Sequence, residues 1–378
     1  MRKVLLMSEV FPPTHGGSGR WFWEIYRRFP KGCVEILTDN VDGSADTDAD
    51  FPHPVHRFDR MSAPSWGAVS WHGARYYYRL WKKLDALVSE GGFDQVHCGR
   101  VIPEGLPALL NRFRRGVPYT CYVHGEDVEV ARTSREITLL TRLVFRYAER
   151  IVANSENTRT ILKKWWNIDD ERLIVMTPGV DVDRFFPEAS VRPDHWSGRK
   201  VVLTVGRLQQ RKGQDMMIRA LPTIRDSVPE VLYCLVGGGA EEGRLREMAE
   251  SLGLKDHIEF AGELTDAQML AYYQSCDLFA LPNRRVKNDD EGFGMVLLEA
   301  QSCGKPVLAG NAGGTRETLT EQTGVIVECT SPEPLARAVI VLLQDGERLK
   351  RMGMAGREHV TQRFSWKELA EQAVKKLA

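Results

Sequence analysis

Short apolar runs, each followed by a stretch of helical periodicity, recur in two series along this chain, and that alternation constrains the fold more than any other feature. The first series comprises residues 4–7, 35–38, 95–97, 119–123 and 150–153; the second comprises 201–205, 231–236, 258–260, 278–281, 306–309 and 324–327. The longer runs, such as 201–205 and 231–236, are largely continuous rather than apolar at every second residue, so such strands are covered on both faces, which a parallel sheet flanked by helices provides. Between the series the pattern is punctuated at Thr177-Pro178-Gly179-Val180 and by a polar, proline-containing stretch over 187–199, a hinge signal. The expected architecture is α/β, with two Rossmann-like parallel-sheet domains facing across a cleft and ligands bound beyond the carboxyl ends of the strands.

At 378 residues the chain has room for two such domains. Lysine plus arginine and aspartate plus glutamate each total 51, so no global field would hold the chain on nucleic acid, and charged ligands must be met locally. Seven cysteines are scattered and never form C-x-x-C, which favours buried, reduced thiols over a disulfide framework or a zinc cluster. Glu9 interrupts the first residues before a signal-peptide core is complete, and no apolar run reaches membrane-spanning length. A cytoplasmic protein is expected.

Two stretches carry chemistry. In Asp290-Glu291-Gly292-Phe293-Gly294-Met295-Val296-Leu297-Leu298-Glu299-Ala300, two glycines let the backbone approach a ligand, and free amides open a helix whose positive end suits an anion. Glu291 and Glu299 would flank that opening; the plain alternative is a glycine turn with two solvated glutamates. In Val205-Gly206-Arg207-Leu208-Gln209-Gln210-Arg211-Lys212-Gly213, a strand end delivers Arg207 and, five residues later, Lys212. These two cations suit a diphosphate, or else a solvated helix start.

Together and in order, these stretches resemble the retaining glycosyltransferases of family 4, of GT-B fold. Pro178-Gly179-Val180-Asp181 with Phe185, and Phe260-Ala261-Gly262-Glu263-Leu264, fit the same pattern, so the resemblance spans most of residues 1–370. It implies an acceptor-binding domain over 1–185, a donor-binding domain over 186–362, and a terminal helix over 363–378 crossing back to the first. Arg207 and Lys212 would bind the donor diphosphate, Glu299 the ribose hydroxyls, and Glu291 the donor sugar. Backbone amides of Phe293, Gly294, Met295 and Val296 would meet sugar and phosphate, Gly262 to Leu264 would edge the base, and Gly237 and Gly238 would pass close to the nucleotide. In the first domain, His124 of Val123-His124-Gly125-Glu126-Asp127 would contact the donor sugar, and Gly16-Gly17 matches the family's amino-terminal glycine loop.

The resemblance further implies a UDP- or GDP-sugar donor, a glycan or lipid-linked acceptor, and no required metal or other cofactor. Two D-x-D spacings, Asp46-Thr47-Asp48 and Asp181-Val182-Asp183, lie in an acidic loop and the hinge phrase rather than at a strand end, and read as structural. The stretch 283–290 is longer than the usual link and looks like the subset containing bacterial phosphatidylinositol mannosyltransferases and exopolysaccharide enzymes. Aromatics interleave with cations over 66–83 without one acid, which suits peripheral contact with the inner face of a membrane, or else a helix with an aromatic core face. A nucleotide-sugar epimerase of the same fold and a non-catalytic sugar-nucleotide sensor are the competing readings. A nicotinamide oxidoreductase is disfavoured because Gly16-Gly17-Ser18-Gly19 lacks the G-x-G-x-x-G spacing.

Overall fold

The computed structural model describes residues 2–14, 16–59, 70–188, 192–287 and 289–377. The chain divides into two compact units, Met1–Pro178 with Trp366–Ala378, and Gly179–Ser365. Each unit is an α/β layer structure around one wholly parallel sheet.

In the first unit the strands are β1 (Val4–Ser8), β2 (Val34–Asp39), β3 (Val55–Phe58), β4 (Gln95–Cys98), β5 (Tyr119–Val123), β6 (Arg150–Ala153) and β7 (Leu173–Val175). Their order is β3-β2-β1-β4-β5-β6-β7, and Val4 stands beside both Val34 and Gln95. The winding direction reverses between β1 and β4, which makes their carboxyl ends the ligand-binding switch point. The edge strands β3 and β7 are the two that the apolar runs do not announce. They span only four and three residues, and most of their side chains are half-buried.

The helix Gly17–Tyr26 turns Trp21, Phe22, Ile25 and Tyr26 inward, and the terminal helix Trp366–Leu377 packs against it. Beneath it runs a buried polar chain. Tyr122 and Tyr26 share a hydroxyl hydrogen bond of 2.8 Å, Tyr26 Oη lies 2.6 Å from His97 Nδ1, and His97 Nε2 lies 3.1 Å from Gln95 Oε1. Burial pushes His97 down to about 3, so the ring is neutral and mutual hydrogen bonding satisfies the chain.

The acidic stretch that holds Asp46-Thr47-Asp48, expected as a loop, contains the short helix Ser44–Ala49. Asp48 there accepts from Arg57 Nε at 3.0 Å and Nη2 at 2.5 Å, while Arg57 also donates to the Asp39 and Pro12 carbonyls. Part of the charge run is therefore a clamp on β3, which propensity alone does not reveal.

In the second unit the strands are β8 (Lys200–Val205), β9 (Val231–Val236), β10 (Ile258–Gly262), β11 (Leu278–Leu281), β12 (Val307–Gly310) and β13 (Gly324–Val327). Their order, β10-β9-β8-β11-β12-β13, places the switch point between β8 and β11, where Leu278 stands beside Val202. One apolar cluster includes Met217, Leu221, Leu235 and Val339, and another Leu203, Phe279, Leu297 and Val360, so the strands are covered on both faces as their continuous apolar sequence requires. All seven cysteines are free thiols and six are buried.

Candidate functional site

The second unit gathers its chemistry at the β8–β11 switch point. Past the end of β8, residues Gln210–Lys212 form one turn of 3-10 helix that closes onto Gly213 at φ +76, a left-handed conformation suited to glycine. A Cβ on Gly213 would stand 1.8 Å from the Pro282 carbonyl oxygen just past β11, so only glycine lets the two segments touch. Arg284 completes the join: its amide donates to Arg211 O at 2.9 Å, and its guanidinium forks onto Asp215 at 2.7 and 2.9 Å.

This join aims Arg211 and Lys212 at one carboxylate. Lys212 Nζ lies 2.6 Å and Arg211 Nη1 2.7 Å from Glu291 Oε2, and Arg211 Nε lies 3.0 Å from Asp289. The three side chains of the central cluster are nearly buried. Burial works to raise the Glu291 carboxyl, but the charges of Lys212 and Arg211, the Lys212 hydrogen bond and the charge of Arg207 outweigh it and hold the group below the ordinary carboxylate range. The cluster thus keeps two cations and one anion fixed beside an anion-friendly helix opening. Arg207 itself is exposed.

The segment before Glu291 turns back tightly, with Val286 and Asp289 exchanging both backbone hydrogen bonds at 3.0 and 2.9 Å; Asn288 lies outside the described residues. Beyond it, the helix Met295–Ser302 opens at Gly294. Phe293 is buried and its ring meets Phe364 at 6.0 Å, so only its backbone is available to a ligand. Half-buried Glu299 accepts from Tyr273 Oη at 2.6 Å, and this tyrosine is wholly buried.

The glycines at the end of β9 have different reasons. Gly237 has φ +117, and a Cβ there would stand 2.5 Å from Gly206 O, so it permits strand-end packing. Gly238 faces open space, with only Glu263 Oε1 at 3.8 Å. Gly262 ends β10, and Leu264 packs partly buried against the apolar cluster behind.

In the first unit, His124 follows β5. Its Nε2 lies 2.8 Å from the Gly99 carbonyl, its amide donates to Asp127 Oδ1 at 3.1 Å, and its carbonyl accepts from Asn154. A carbonyl only accepts, so Nε2 carries the proton and Nδ1 is left as an acceptor. Burial holds the ring below the ordinary histidine range despite the Asp127 charge, so it is neutral near pH 7. The Trp21 and Phe22 rings stand edge-on to it at 5.7 and 5.9 Å. Gly16 caps the helix Gly17–Tyr26 with no side-chain cap hydrogen bond, so the helix opens on backbone amides alone.

In each D-x-D spacing one carboxylate has partners within the fold. Asp48 is engaged by Arg57, and Asp181 Oδ1 accepts from the amides of Asp183 and Arg184, both at 3.1 Å. Among the described residues no group of three or more His, Cys, Asp or Glu side chains is placed to hold a metal ion.

Of the residues singled out from sequence, the structure brings Lys212, Glu291, the 293–296 amides and Glu299 to one switch point, with Arg207 at its exposed edge. Arg211, Asp215, Arg284 and Tyr273 were not foreseen. Arg211 was hidden in the same basic run as Lys212, and the others join the site from 26 to 69 residues away from their partners.

Comparison with known proteins matches a family model to each half of the chain. The model described as glycosyltransferase family 4 matches residues 15–184, and that described as glycosyl transferases group 1 matches 186–359. A GDP-mannose-dependent alpha-(1-6)-phosphatidylinositol monomannoside mannosyltransferase of Mycobacterium tuberculosis is 30% identical, covering 98% of this chain and 96% of its own. A GDP-mannose-dependent monoacylated alpha-(1-6)-phosphatidylinositol monomannoside mannosyltransferase of Corynebacterium glutamicum is 38% identical over the same shares. Among solved structures, HepE of Anabaena in complex with UDP is 21% identical with a TM-score of 0.80, covering 99% of both chains.

Proposed function

The chain belongs to glycosyltransferase family 4, and from that premise we propose that it is a retaining, metal-independent mannosyltransferase that moves mannose from GDP-mannose to a lipid-linked, inositol-containing acceptor. Its class, an enzyme transferring sugar from a nucleotide sugar, follows from the family. The observation that carries the finer reading is that relatives matched over nearly their whole length, at 30% and 38% identity, are named for GDP-mannose and a phosphatidylinositol mannoside. The solved structure named for UDP is a more distant match, at 21% identity.

In this reading the second unit holds the donor. Arg207, Lys212 and Arg211 bind the diphosphate and stabilise the charge that grows as GDP leaves. Glu299, steadied by Tyr273, grips the ribose, and Glu291 holds the sugar. The 293–296 amides meet sugar and phosphate, with Gly238, Gly262 and Leu264 around the nucleotide. His124 contacts the reacting sugar, and the Gly16-Gly17 amides face phosphate and acceptor. Fixed cations and a helix opening supply the positive charge that a divalent ion supplies elsewhere.

A lipid-linked acceptor accords with the surface of the first unit. Trp71 and Tyr78, Leu110 and Phe113, and Leu139 and Leu143 are exposed on three successively packed helices, Trp71–Gly91, Gly105–Arg115 and Arg135–Tyr147. Exposed Arg75, Arg79, Lys82, Arg114, Arg142 and Arg146 accompany them, a combination that suits a headgroup interface. Residues 66–69 of the aromatic-basic stretch lie outside the described residues, and no described helix is long and apolar enough to cross a membrane. This supports peripheral contact.

Incubation with phosphatidylinositol monomannoside in detergent micelles and either GDP-mannose or UDP-glucose, followed by product mass spectrometry, tests the reading. One added hexose from GDP-mannose is expected. Transfer from the UDP sugar alone would overturn the donor assignment, and no transfer from either would overturn the mannosyltransferase assignment.

A further inference from the structure

The phrase Pro178-Gly179-Val180-Asp181 with Phe185 has no part in the chemistry above, yet its far end is joined to the carboxylate assigned to the ribose. Asp181 folds the segment into a turn: its Oδ1 accepts from the Asp183 and Arg184 amides, and its carbonyl accepts from the Phe185 amide at 2.8 Å. The turn delivers Phe185 into the interior, where it is 3% exposed and stands edge-on to the Tyr273 ring at 5.7 Å. Phe279 meets the same tyrosine at 5.5 Å. Two aromatic neighbours thus hold the ring whose hydroxyl donates to Glu299 Oε2 at 2.6 Å.

The backbone of the same segment grips both helices that carry this hydrogen bond. On the helix Asp266–Ser275, Gln274 next to Tyr273 donates through Nε2 to Phe186 O at 2.9 Å. On the helix Met295–Ser302, Ser302 lies less than one turn beyond Glu299, and its Oγ donates to Phe185 O at 2.5 Å. Arg357 locks that end, with its guanidinium 2.8 Å from Phe185 O, 3.0 Å from Val182 O and 2.8 Å from Ser302 Oγ. Breaking charged hydrogen bonds to inward-facing carbonyls is costly, so the segment is a fixed reference for both partners.

We propose that Phe185 is a positioning residue for nucleotide binding: its ring fixes Tyr273, and through it the Glu299 carboxylate, in the orientation that meets the ribose hydroxyls. This rests on the assignment of Glu299 to the ribose in the reading above. A carboxylate that must be ordered on binding loses part of its hydrogen-bond energy to that ordering, and one held beforehand does not. A ring that only filled the core would act on stability, with no preference for the ribose.

Calorimetric titration with GDP and with 2′,3′-dideoxy-GDP, on the full chain and on its Phe185→Leu, Glu299→Ala and doubly substituted variants, tests this. Phe185→Leu is expected to weaken GDP roughly three- to tenfold, the worth of one hydrogen bond, and to leave the dideoxy nucleotide unchanged. In the Glu299→Ala background it should add nothing, because the group it acts through is gone. Phe185→Met, whose flexible chain fills space without holding a ring in place, should show the same pattern. Equal losses for the two nucleotides, additive effects of Phe185→Leu and Glu299→Ala, or unchanged GDP affinity in both Phe185 variants overturns the proposal and leaves the ribose assignment standing. Equal affinity of the unsubstituted protein for the two nucleotides, or unchanged GDP binding in Glu299→Ala, would instead overturn the ribose assignment and the proposal with it.

Discussion

Lys212 holds its ammonium nitrogen 2.6 Å from Glu291 Oε2, so a cation assigned to the donor diphosphate is already paired with a carboxylate assigned to the donor sugar. Arg211 shares the same oxygen. Removing the carboxylate leaves two nearly buried cations short of their main counter-charge, which costs about 3–5 kcal/mol for a broken buried pair. Glu291→Ala should therefore melt lower, bind free GDP at least as tightly, and lose most of its turnover. Calorimetry that finds GDP binding weakened in step with turnover would contradict this division of labour.

The same pairing has a pH signature. The folded-state carboxyl of Glu291 is held below its ordinary value, so the stability it contributes is complete above the unfolded value of about 4.3 and is lost as the pH falls through the lower, folded value. Thermal melts on the acid side should show Glu291→Ala losing less stability between neutral and acid pH than the unsubstituted protein. Parallel acid limbs for the two proteins would refute it.

Tyr273 gives Glu299 a fixed donor from a wholly buried position. Glu299→Gln should weaken free GDP and GDP-sugar alike by about 1.5–3 kcal/mol, the worth of a charge-assisted hydrogen bond. Tyr273→Phe, which removes only the orienting hydroxyl, should weaken both by about 0.5–1.5 kcal/mol with little change in turnover at saturating donor. A fall in turnover with unchanged nucleotide affinity would contradict the ribose assignment.

The strands legible in the sequence include all the central ones, because burial on both faces demands an apolar run such as 201–205 or 231–236, and also the edge strands β10 and β13 of the second sheet. The edge strands β3 and β7 escape notice because they span only four and three residues, most of them half-buried, too little for a run to stand out. Motif spacing found Lys212, Glu291 and Glu299, since a strand end and a glycine-opened helix fix where such residues point. It singled out Arg207 and passed over Arg211, because only the 3-10 turn over Gln210–Lys212 brings the Arg211 guanidinium to Glu291. The Asp215–Arg284 fork and the Tyr273 hydroxyl are contacts between elements, set by packing.

Nucleotide-sugar turnover should persist in excess chelator. Arg211 and Lys212 are fixed by Glu291 and by the Arg284 join before any ligand arrives, so little reorganisation is needed for them to receive a diphosphate. Activity measured after dialysis against EDTA should match the untreated enzyme, and loss of activity restored by manganese would show that a divalent ion shares the work.

The new glycosidic bond should keep the donor's anomeric configuration. With Arg207, Arg211 and Lys212 steadying the leaving diphosphate, a phosphate oxygen of the donor can take the acceptor's proton on the face from which GDP departs, and no protein carboxylate need act as a strong base. Glu291 is poorly suited to be a nucleophile in a double displacement, because its carboxylate is tied by two cations at 2.6 and 2.7 Å. His124, neutral and with its Nε2 proton committed to Gly99, can accept a sugar hydroxyl through Nδ1 and favour the positive charge that develops on the ring. His124→Ala should accordingly cost far more in turnover than in GDP affinity, and because burial depresses the imidazole pKa, the rate should show no acid limb at the ordinary histidine value of about 6.5. Anomeric couplings of the product, read by NMR, decide the stereochemistry: inversion relative to the donor would exclude the front-side route, and a trapped glycosyl adduct on Glu291 would replace it with double displacement.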